Sequence, residues 1–492
     1  MLRRPTFWRG APTWFRSARL GACALGTSTC VLGLGLGWLL WRPGEVAVAR
    51  AVLAPPLYTV ATYDVVDPPA VEDFPRDSAR VDDLVDVGRR LFRTQFNVRD
   101  GAGRPGATGN RVPTKRSTQH GIPFVRTAGP DAMSCRGCHN QPFDGGGGDF
   151  ATNVFVGAHL SDPPTASIAP EATSERRTRT IRGAGVLEML AREMTSDLWS
   201  ARDLALLRAR TESRVVAVDL KTKGVRFGRL KVRPDGTIDG TGVVGVDADL
   251  VVKPFGAKGV VVSLRAFTVN ALNQHHGIQA TERFGVDATG ALDFDQDGVP
   301  NEFSVDQVTA LTLFQATLAP PEPAPVVNAQ AELGRQVFLR LGCAECHVPQ
   351  LILERHEFVE PSPYNQRGTV APVVPTVRAA LPVGGAVRMA PNGSLLVAAY
   401  TDLKRHRISD ESDAHFGNEL MPQEGVPPDQ FLTTPLWGAA SHAPYGHRGD
   451  CGTLSEAILH HAGEAKFARD GFAQAPWVER AALVAFLRTL GP

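Results

Sequence analysis

The sequence predicts a mainly α protein of two related units, with a small β-insert in the first and an apolar segment ahead of both. Three observations carry that prediction. The stretch Ser134-Cys135-Arg136-Gly137-Cys138-His139-Asn140 has a counterpart in Cys343-Ala344-Glu345-Cys346-His347. Upstream of each copy lies a helix-like run of one kind, Gly88-Arg89-Arg90-Leu91-Phe92 and Gly334-Arg335-Gln336-Val337-Phe338. A motif that recurs together with its leading helix is the mark of an internal duplication. Between the copies, residues 214–263 are rich in Val, Gly and Asp with alternating stretches such as Val215-Val216-Ala217-Val218-Asp219-Leu220, a β pattern.

Closely spaced cysteines serve disulfides, zinc sites, redox pairs or covalently attached haem. Zinc needs four ligands, and from Asn140 to Ala158 there is no further Cys or His. A thioredoxin-like pair does not require a histidine behind the second thiol and wants a βαβ context, whereas these surroundings are polar and Gly-rich. In a c-type haem site every residue is used, since two thioethers hold the porphyrin and the next side chain reaches the iron. Cys135 and Cys138 with His139, and Cys343 and Cys346 with His347, therefore read as two covalently bound haem c groups, and the two units as cytochrome c-like haem domains.

Along the chain, Arg3, Arg4, Arg9, Arg16 and Arg19 precede the uncharged 22-residue run Leu20 to Trp41. That run exceeds a usual h-region of roughly 7–15 residues and is just long enough to span a bilayer. Residues 1–49 thus read as a signal peptide or a membrane anchor, cleavage at Ala47-Val48-Ala49 being one option, with the rest exported to the periplasm. Export agrees with c-type attachment, which occurs outside the cytoplasm. Residues 50–80, rich in Pro and Asp, read as a linker. The first haem domain is expected over 81–325, beginning with a helix at Val81 to Phe92 and ending at the proline-rich joint Ala319 to Pro325. Asp144 to Asp149, with four glycines, must be loop, and Arg182 to Leu207 is helical in pattern. The second domain is expected over 331–492, closing with a helix from Val478 to Leu490. Of the seven cysteines, four belong to the motifs and Cys23 and Cys30 to the export segment, which leaves Cys451 alone as a small buried side chain. A formal charge of +1 with no basic stripe gives no support to nucleic-acid binding.

The sixth iron position decides between electron transfer and reaction. For the first haem the nearest downstream candidate is His159, reached across the glycine loop, the alternative being a surface histidine. For the second, His442, His447, His460, His461, Met389 and Met421 are available. The run Thr434-Pro435-Leu436-Trp437-Gly438, then His447-Arg448-Gly449-Asp450, then Leu454 to Ala465, with Tyr400-Thr401-Asp402-Leu403 and Gly342 to Pro349, resembles the di-haem oxidoreductases of the bacterial cytochrome c peroxidase and MauG superfamily. It is closest to the branch described as "di-haem oxidoreductase, putative peroxidase". The resemblance covers roughly Val81 to Pro492 and is weakest over the β-insert. It implies one haem that accepts electrons from a small periplasmic donor, a cytochrome c or copper protein, and one that reduces hydrogen peroxide. It puts His461 where the peroxidases have Met and MauG has Tyr. Bis-His ligation lowers the potential, so the usual division of labour between the haems is open, and Met421 is the alternative ligand.

Peroxide cleavage asks for an acid/base at the open face. Glu188 follows an arginine-rich segment, Glu175-Arg176-Arg177, that resembles the family's corresponding region, and is the candidate, the alternative being an ion pair. Trp199, Trp437 and Trp477 offer no aligned counterpart of the tryptophan that bridges the haems in the peroxidases. Asp293, Asp295, Asp297 and Asn301, with Gly298 at the sixth place, have the spacing of a calcium loop, although Ser304 stands at the twelfth where Glu is expected. Calcium and a solvated acidic turn are the two readings. His275 and His276 are spare ligands, of which at most one is expected to face a given site, since neighbours on a helix diverge by about 100°. The expected activity is therefore that of an exported peroxidase-like oxidoreductase. The alternatives are a pure electron-transfer cytochrome and a MauG-like oxidant of a protein or organic substrate.

Overall fold

The computed structural model describes residues 78–103, 132–148, 151–156, 173–295, 297–324, 328–366, 370–371, 374–419 and 422–491. The expected N-terminal segment 1–49 and almost all of the linker lie outside these residues, as do His159 and Met421. Among the described residues no helix is long and apolar enough to cross a membrane.

In chain order the helices are α1 (Ser78–Arg93), the single turn α2 (Cys135–Cys138), the long α3 (Ala184–Thr211) and α4 (Leu264–Ala271), which runs on into a π-helical turn at Leu272–His276. Two short helices follow, α5 (Thr281–Phe284) and α6 (Val286–Thr289), then α7 (Val305–Ala316) and α8 (Ala329–Arg340). The last three are α9 (Leu454–Leu459), α10 (Lys466–Gln474) and α11 (Trp477–Arg488). Their ends follow local chemistry. Asn328 caps α8 by accepting the Ala331 N–H at 2.7 Å, and Ser304 and Gln307 form a reciprocal capping box at the start of α7. Helix α7 is buried from Gln307 to Ala316 on every side, as befits a central helix.

The duplication seen in sequence is a helix crossing made twice. Helix α1 lies against α7, and α8 against α11. A Cβ on Gly88 would fall 2.0 Å from the Ala310 carbonyl oxygen and 2.7 Å from Phe314 Cβ. A Cβ on Gly334 would fall 1.9 Å from the Ala482 carbonyl oxygen and 2.7 Å from Phe486 Cβ. In both crossings the partner helix offers an alanine carbonyl and, four residues on, a phenylalanine. The two glycines thus let the backbones touch, and Phe92 and Phe338 pack on Phe314 and Phe486 at 5.2 and 5.5 Å between ring centroids.

A mainly α chain is expected, and the described residues mix helices with five small sheets. Strands β1 (Ala151–Val156) and β2 (Thr173–Arg177) pair antiparallel. Strands β3 (Val216–Thr222), β4 (Val225–Val232) and β5 (Ile238–Asp239) form an antiparallel meander in the stretch with the β pattern. Like β1 and β2, the remainder were not foreseen: β6 (Leu351–Leu353), β7 (Glu357–Glu360), β8 (Val377–Ala380), β9 (Val387–Met389), β10 (Leu395–Val397), β11 (Arg405–Arg407) and β12 (Gln430–Leu432). They pair as β6-β10-β9, β7-β8 and β11-β12. Three or four residues hold too few alternations to stand out in a sequence, and their partners are distant.

One large apolar core joins α1, α3 and α7 to the strands β6 to β10, while α8 and α11 enclose a second around Phe338, Phe472 and Phe486. Beside the large core, Arg265 on α4 is fully buried and held by Glu282 at 2.7 Å and Glu360 at 3.0 Å, tying α4 to α5 and β7. Replacing Gly88 or Gly334 by Ala is expected to destabilise the protein by about 1–3 kcal/mol through overpacking at the crossing. Denaturant unfolding of each variant checks this, and an unchanged midpoint would mean that the helices do not meet so closely.

Candidate cofactor site

Each motif makes a tight turn that turns its histidine back over its first cysteine. Ser134 caps the single turn α2 by accepting the Gly137 N–H at 3.0 Å, and the His139 N–H donates to the Cys135 carbonyl at 2.9 Å. In the second motif Gly342, at φ 81°, ends the helix, a 3-10 turn follows at Cys343–Glu345, and the His347 N–H donates to the Cys343 carbonyl at 3.0 Å. None of the four thiols is in a disulfide.

The imidazoles are oriented alike. His139 Nδ1 lies 3.2 Å from the Gly146 carbonyl oxygen, and His347 Nδ1 lies 3.0 Å from the Tyr400 carbonyl oxygen. A carbonyl only accepts, so Nδ1 carries the proton and Nε2 keeps its lone pair, the arrangement common to metal-bound histidines. Burial holds both rings at a pKa of about 4, so they are neutral at pH 7, as ligation requires. Burial also pushes the Cys135 thiol up to about 12 and the Cys343 thiol up to about 11, which argues against a thiolate nucleophile at either place.

Within the glycine loop, Gly145 to Gly148 fold back on the motif, where Gly147 accepts the N–H groups of Asn140 and Gln141. A Cβ on Gly146 would lie 1.8 Å from the Gln141 carbonyl oxygen, and one on Gly148 would lie 2.0 Å from that of Cys138. On the other side, His276 Nε2 is 3.5 Å from Cys135 Sγ, and His275 is near enough to His139 to lower its basicity. Of the pair, His276 is thus the one that touches the first motif, and the two close a π-helical turn at Leu272–His276.

The second motif opens on a cavity of about 280 Å³ lined by Cys343, Cys346, His347, His461, His406 and His442 among others. His461 Nδ1 is 2.7 Å from the Ala457 carbonyl oxygen, which leaves its Nε2 lone pair as well. Of the other candidate ligands, Met389 is exposed on β9 and His460 bonds Asp413 at 3.0 Å away from the cavity. One wall is basic. Arg177 and Arg179 line it, their pKa values lowered to about 10 by burial yet still charged at pH 7. His442 is held down to about 4 by burial and by these two arginines. Arg177 Nε and His442 Nε2 are buried without a hydrogen-bond partner, whereas His447 Nε2 lies 3.4 Å from Glu419 Oε1. Unpaired buried nitrogens are costly, and two beside one cavity fit the carboxylate edge of a porphyrin. His442 also reaches the first motif: a Cβ on Gly147 would be 3.1 Å from its Cδ2. The residues present thus fit haem at the second motif. At the first they supply the proximal half, and segments 104–131 and 157–172, with His159, lie outside the described residues.

Sequence reasoning missed His406. Its Nε2 meets Asp402 at 2.8 Å and its Nδ1 meets Glu464 at 2.8 Å. Burial opposes its charge, but the Asp402 bond, with the Cys346 sulfur beside it, holds the imidazolium up to about 10. The pairing had a signal in Asp402 and His406, two titratable groups four apart.

Glu188 is corrected. It is fully buried on α3, paired with Arg192 through Oε1 (3.0 Å from Nε) and accepting the Leu264 N–H through Oε2 at 2.7 Å. Both oxygens are engaged and the residue does not line the cavity, because the first half of α3 is buried all round. Asp293, Asp295 and Asp297 do converge, with oxygens within 4.8 Å of one another. Burial and the neighbouring carboxylates raise Asp295 to about 7, and Glu302, buried nearby, to about 10. Asn301 is exposed at φ 52°, and Ser304 caps α7. Trp437 is buried against Gly183, Trp199 stacks edge-on with Tyr364, and Trp477 is exposed.

Residues 375–490 match the family "Di-haem oxidoreductase, putative peroxidase", the branch that the C-terminal motifs resemble. That stretch holds Tyr400, His406, His442, His447 and His461, and both CxxCH motifs lie outside it. No curated protein matches the chain. Among solved structures, a MauG-like protein associated with microbial copper homeostasis is 14% identical with a TM-score of 0.36, covering 88% of this chain and 95% of its own. Hydrazine synthase of Kuenenia stuttgartiensis is 13% identical with a TM-score of 0.34, covering 89% of this chain and 98% of its own. Overlap at this level is too slight to define a shared fold.

Because the folded pKa of His406 is raised, its stabilisation is fully present below about pH 6.5 and is lost as pH rises through about 10. The difference in unfolding free energy between the wild type and His406→Gln is expected to shrink across that window. A pH-independent difference would contradict the carboxylate pairing.

Proposed function

We propose that the chain is an exported di-haem c-type oxidoreductase with peroxidase-like chemistry, drawing electrons from a small periplasmic cytochrome c or copper protein. The observation that carries it is the shared orientation of His139 and His347. Each Nδ1 is tied to a backbone carbonyl, each Nε2 is left for iron, and each stands beside two thiols able to form the thioether links.

A haem iron held there supplies one-electron transfer and the cleavage of a bound peroxide. The chain's own residues divide the remaining work. Cys135, Cys138, Cys343 and Cys346 fix the two groups. His461 faces the second cavity with its Nε2 lone pair, and its place on the short segment after α9 makes it a candidate for the sixth position. Arg177, Arg179, His442 and His447 offer positive charge and N–H donors to carboxylates at the cavity wall. His406, held as an imidazolium at pH 7 between Asp402 and Glu464, keeps a positive charge beside Cys346. For the first site His159 and His275 are the candidates for the far face. Asp293, Asp295 and Asp297, with Glu302 beside them, are the proposed calcium ligands, which would relieve the mutual repulsion that raises Asp295 and Glu302.

His461 favours a second reading, an electron carrier with both irons six-coordinate. Spectra of the oxidised, half-reduced and reduced protein, each with hydrogen peroxide added, separate the two. A high-spin species that peroxide consumes with turnover is expected, and His461→Ala should create one at the second haem in every redox state. Two low-spin haems that stay inert to peroxide in every redox state of the wild type would make the chain a carrier.

A further inference from the structure

Cys451, alone in sequence, is not alone in the fold. It is fully buried at the foot of a nook whose mouth is formed by His415 and Asp450, their side chains 27% and 25% exposed. Ligand atoms of the three lie within 4.8 Å of one another. We infer that Cys451, His415 and Asp450 form a binding site for a divalent transition ion of the zinc class, separate from both haem motifs.

The distances carry this. Zinc bonds of about 2.3 Å to sulfur, about 2.0 Å to nitrogen and about 2.1 Å to oxygen, set at tetrahedral angles, give S···N and N···O edges of roughly 3.5 and 3.3 Å. Cys451 Sγ is 3.6 Å from His415 Nε2, and that same Nε2 is 3.3 Å from Asp450 Oδ2. Both neighbours meet one ring nitrogen, which can offer either a single proton or a single lone pair. The three ligand atoms are therefore close enough together to share one ion. A nucleophilic Cys-His-Asp triad is excluded by the same fact, because there the carboxylate must hold the opposite ring nitrogen.

The surroundings agree. The ring of His415 is stacked at 3.8 Å on His460, which Asp413 holds at 3.0 Å, and the His415 backbone N–H is fixed by Asp413 Oδ1 at 2.9 Å. Such outer support orients ligating imidazoles.

Cys451 lies three residues before α9, whose far end leads to His460 and His461. Phe416, next to His415, sets its ring 5.6 Å from that of His461. An ion here clips the base of the segment that carries His461 to the turn that carries Phe416.

The test is elemental analysis of the untagged, full-length, haem-loaded protein after incubation with zinc and removal of the excess. About one zinc per chain is expected beyond the iron, and Cys451→Ser and His415→Gln should each lower its affinity about tenfold or more with iron content unchanged. Zinc-edge X-ray absorption should give one sulfur at about 2.3 Å in the wild type, lost in Cys451→Ser. Absence of retained zinc in the wild type would overturn the assignment. So would equal retention by both variants, or a zinc shell without sulfur.

Discussion

The bond between a ring Nδ1 and a backbone carbonyl is the constraint on which the rest depends. A histidine beside two thiols can hold a metal centre only if the correct nitrogen is bare and correctly aimed. The chain meets that need twice, by different means. The first motif takes its carbonyl from Gly146, seven residues on, and must fold a glycine loop against its own turn to do so. The second takes it from Tyr400, 53 residues on. There the backbone is strained: Tyr400 and Leu403 both sit at positive φ, 54° and 53°, a conformation that non-glycine residues avoid. The short strands on either side, and the buried pair of Asp402 with His406, keep that bend in place.

Electrostatics then separate the two kinds of histidine at the second cavity. His347, His442 and His461 are kept neutral by burial, and arginines reinforce this at His442. His406, flanked by two carboxylates, is kept charged. One apolar enclosure thus offers neutral nitrogens for a metal and one protonated ring, a division that burial alone would not produce.

What was legible in the sequence was what is local. The two CxxCH motifs, the repeated glycine-bearing helices and the closing helix at α11 all show within a few residues of one another. Gly88 and Gly334 were visible as a repeat, and their reason, a backbone contact across a helix pair, is a matter of the partner helix. The carbonyl that orients His347, the strands of three residues and the neighbours of Cys451 depend on partners tens of residues away, which no pattern of spacing reveals. Glu188 misled because a helical carboxylate near an arginine-rich segment looks the same whether α3 turns it outward or buries it.

The central claim is that Cys135 with Cys138, and Cys343 with Cys346, each hold one haem covalently. The most direct measurement is the intact mass of the denatured protein, with Cys135→Ser/Cys138→Ser and Cys343→Ser/Cys346→Ser beside it. The wild type should exceed its polypeptide mass by two haem groups and each double variant by one. A mass equal to the bare polypeptide, or a double variant that keeps both groups, would contradict the account.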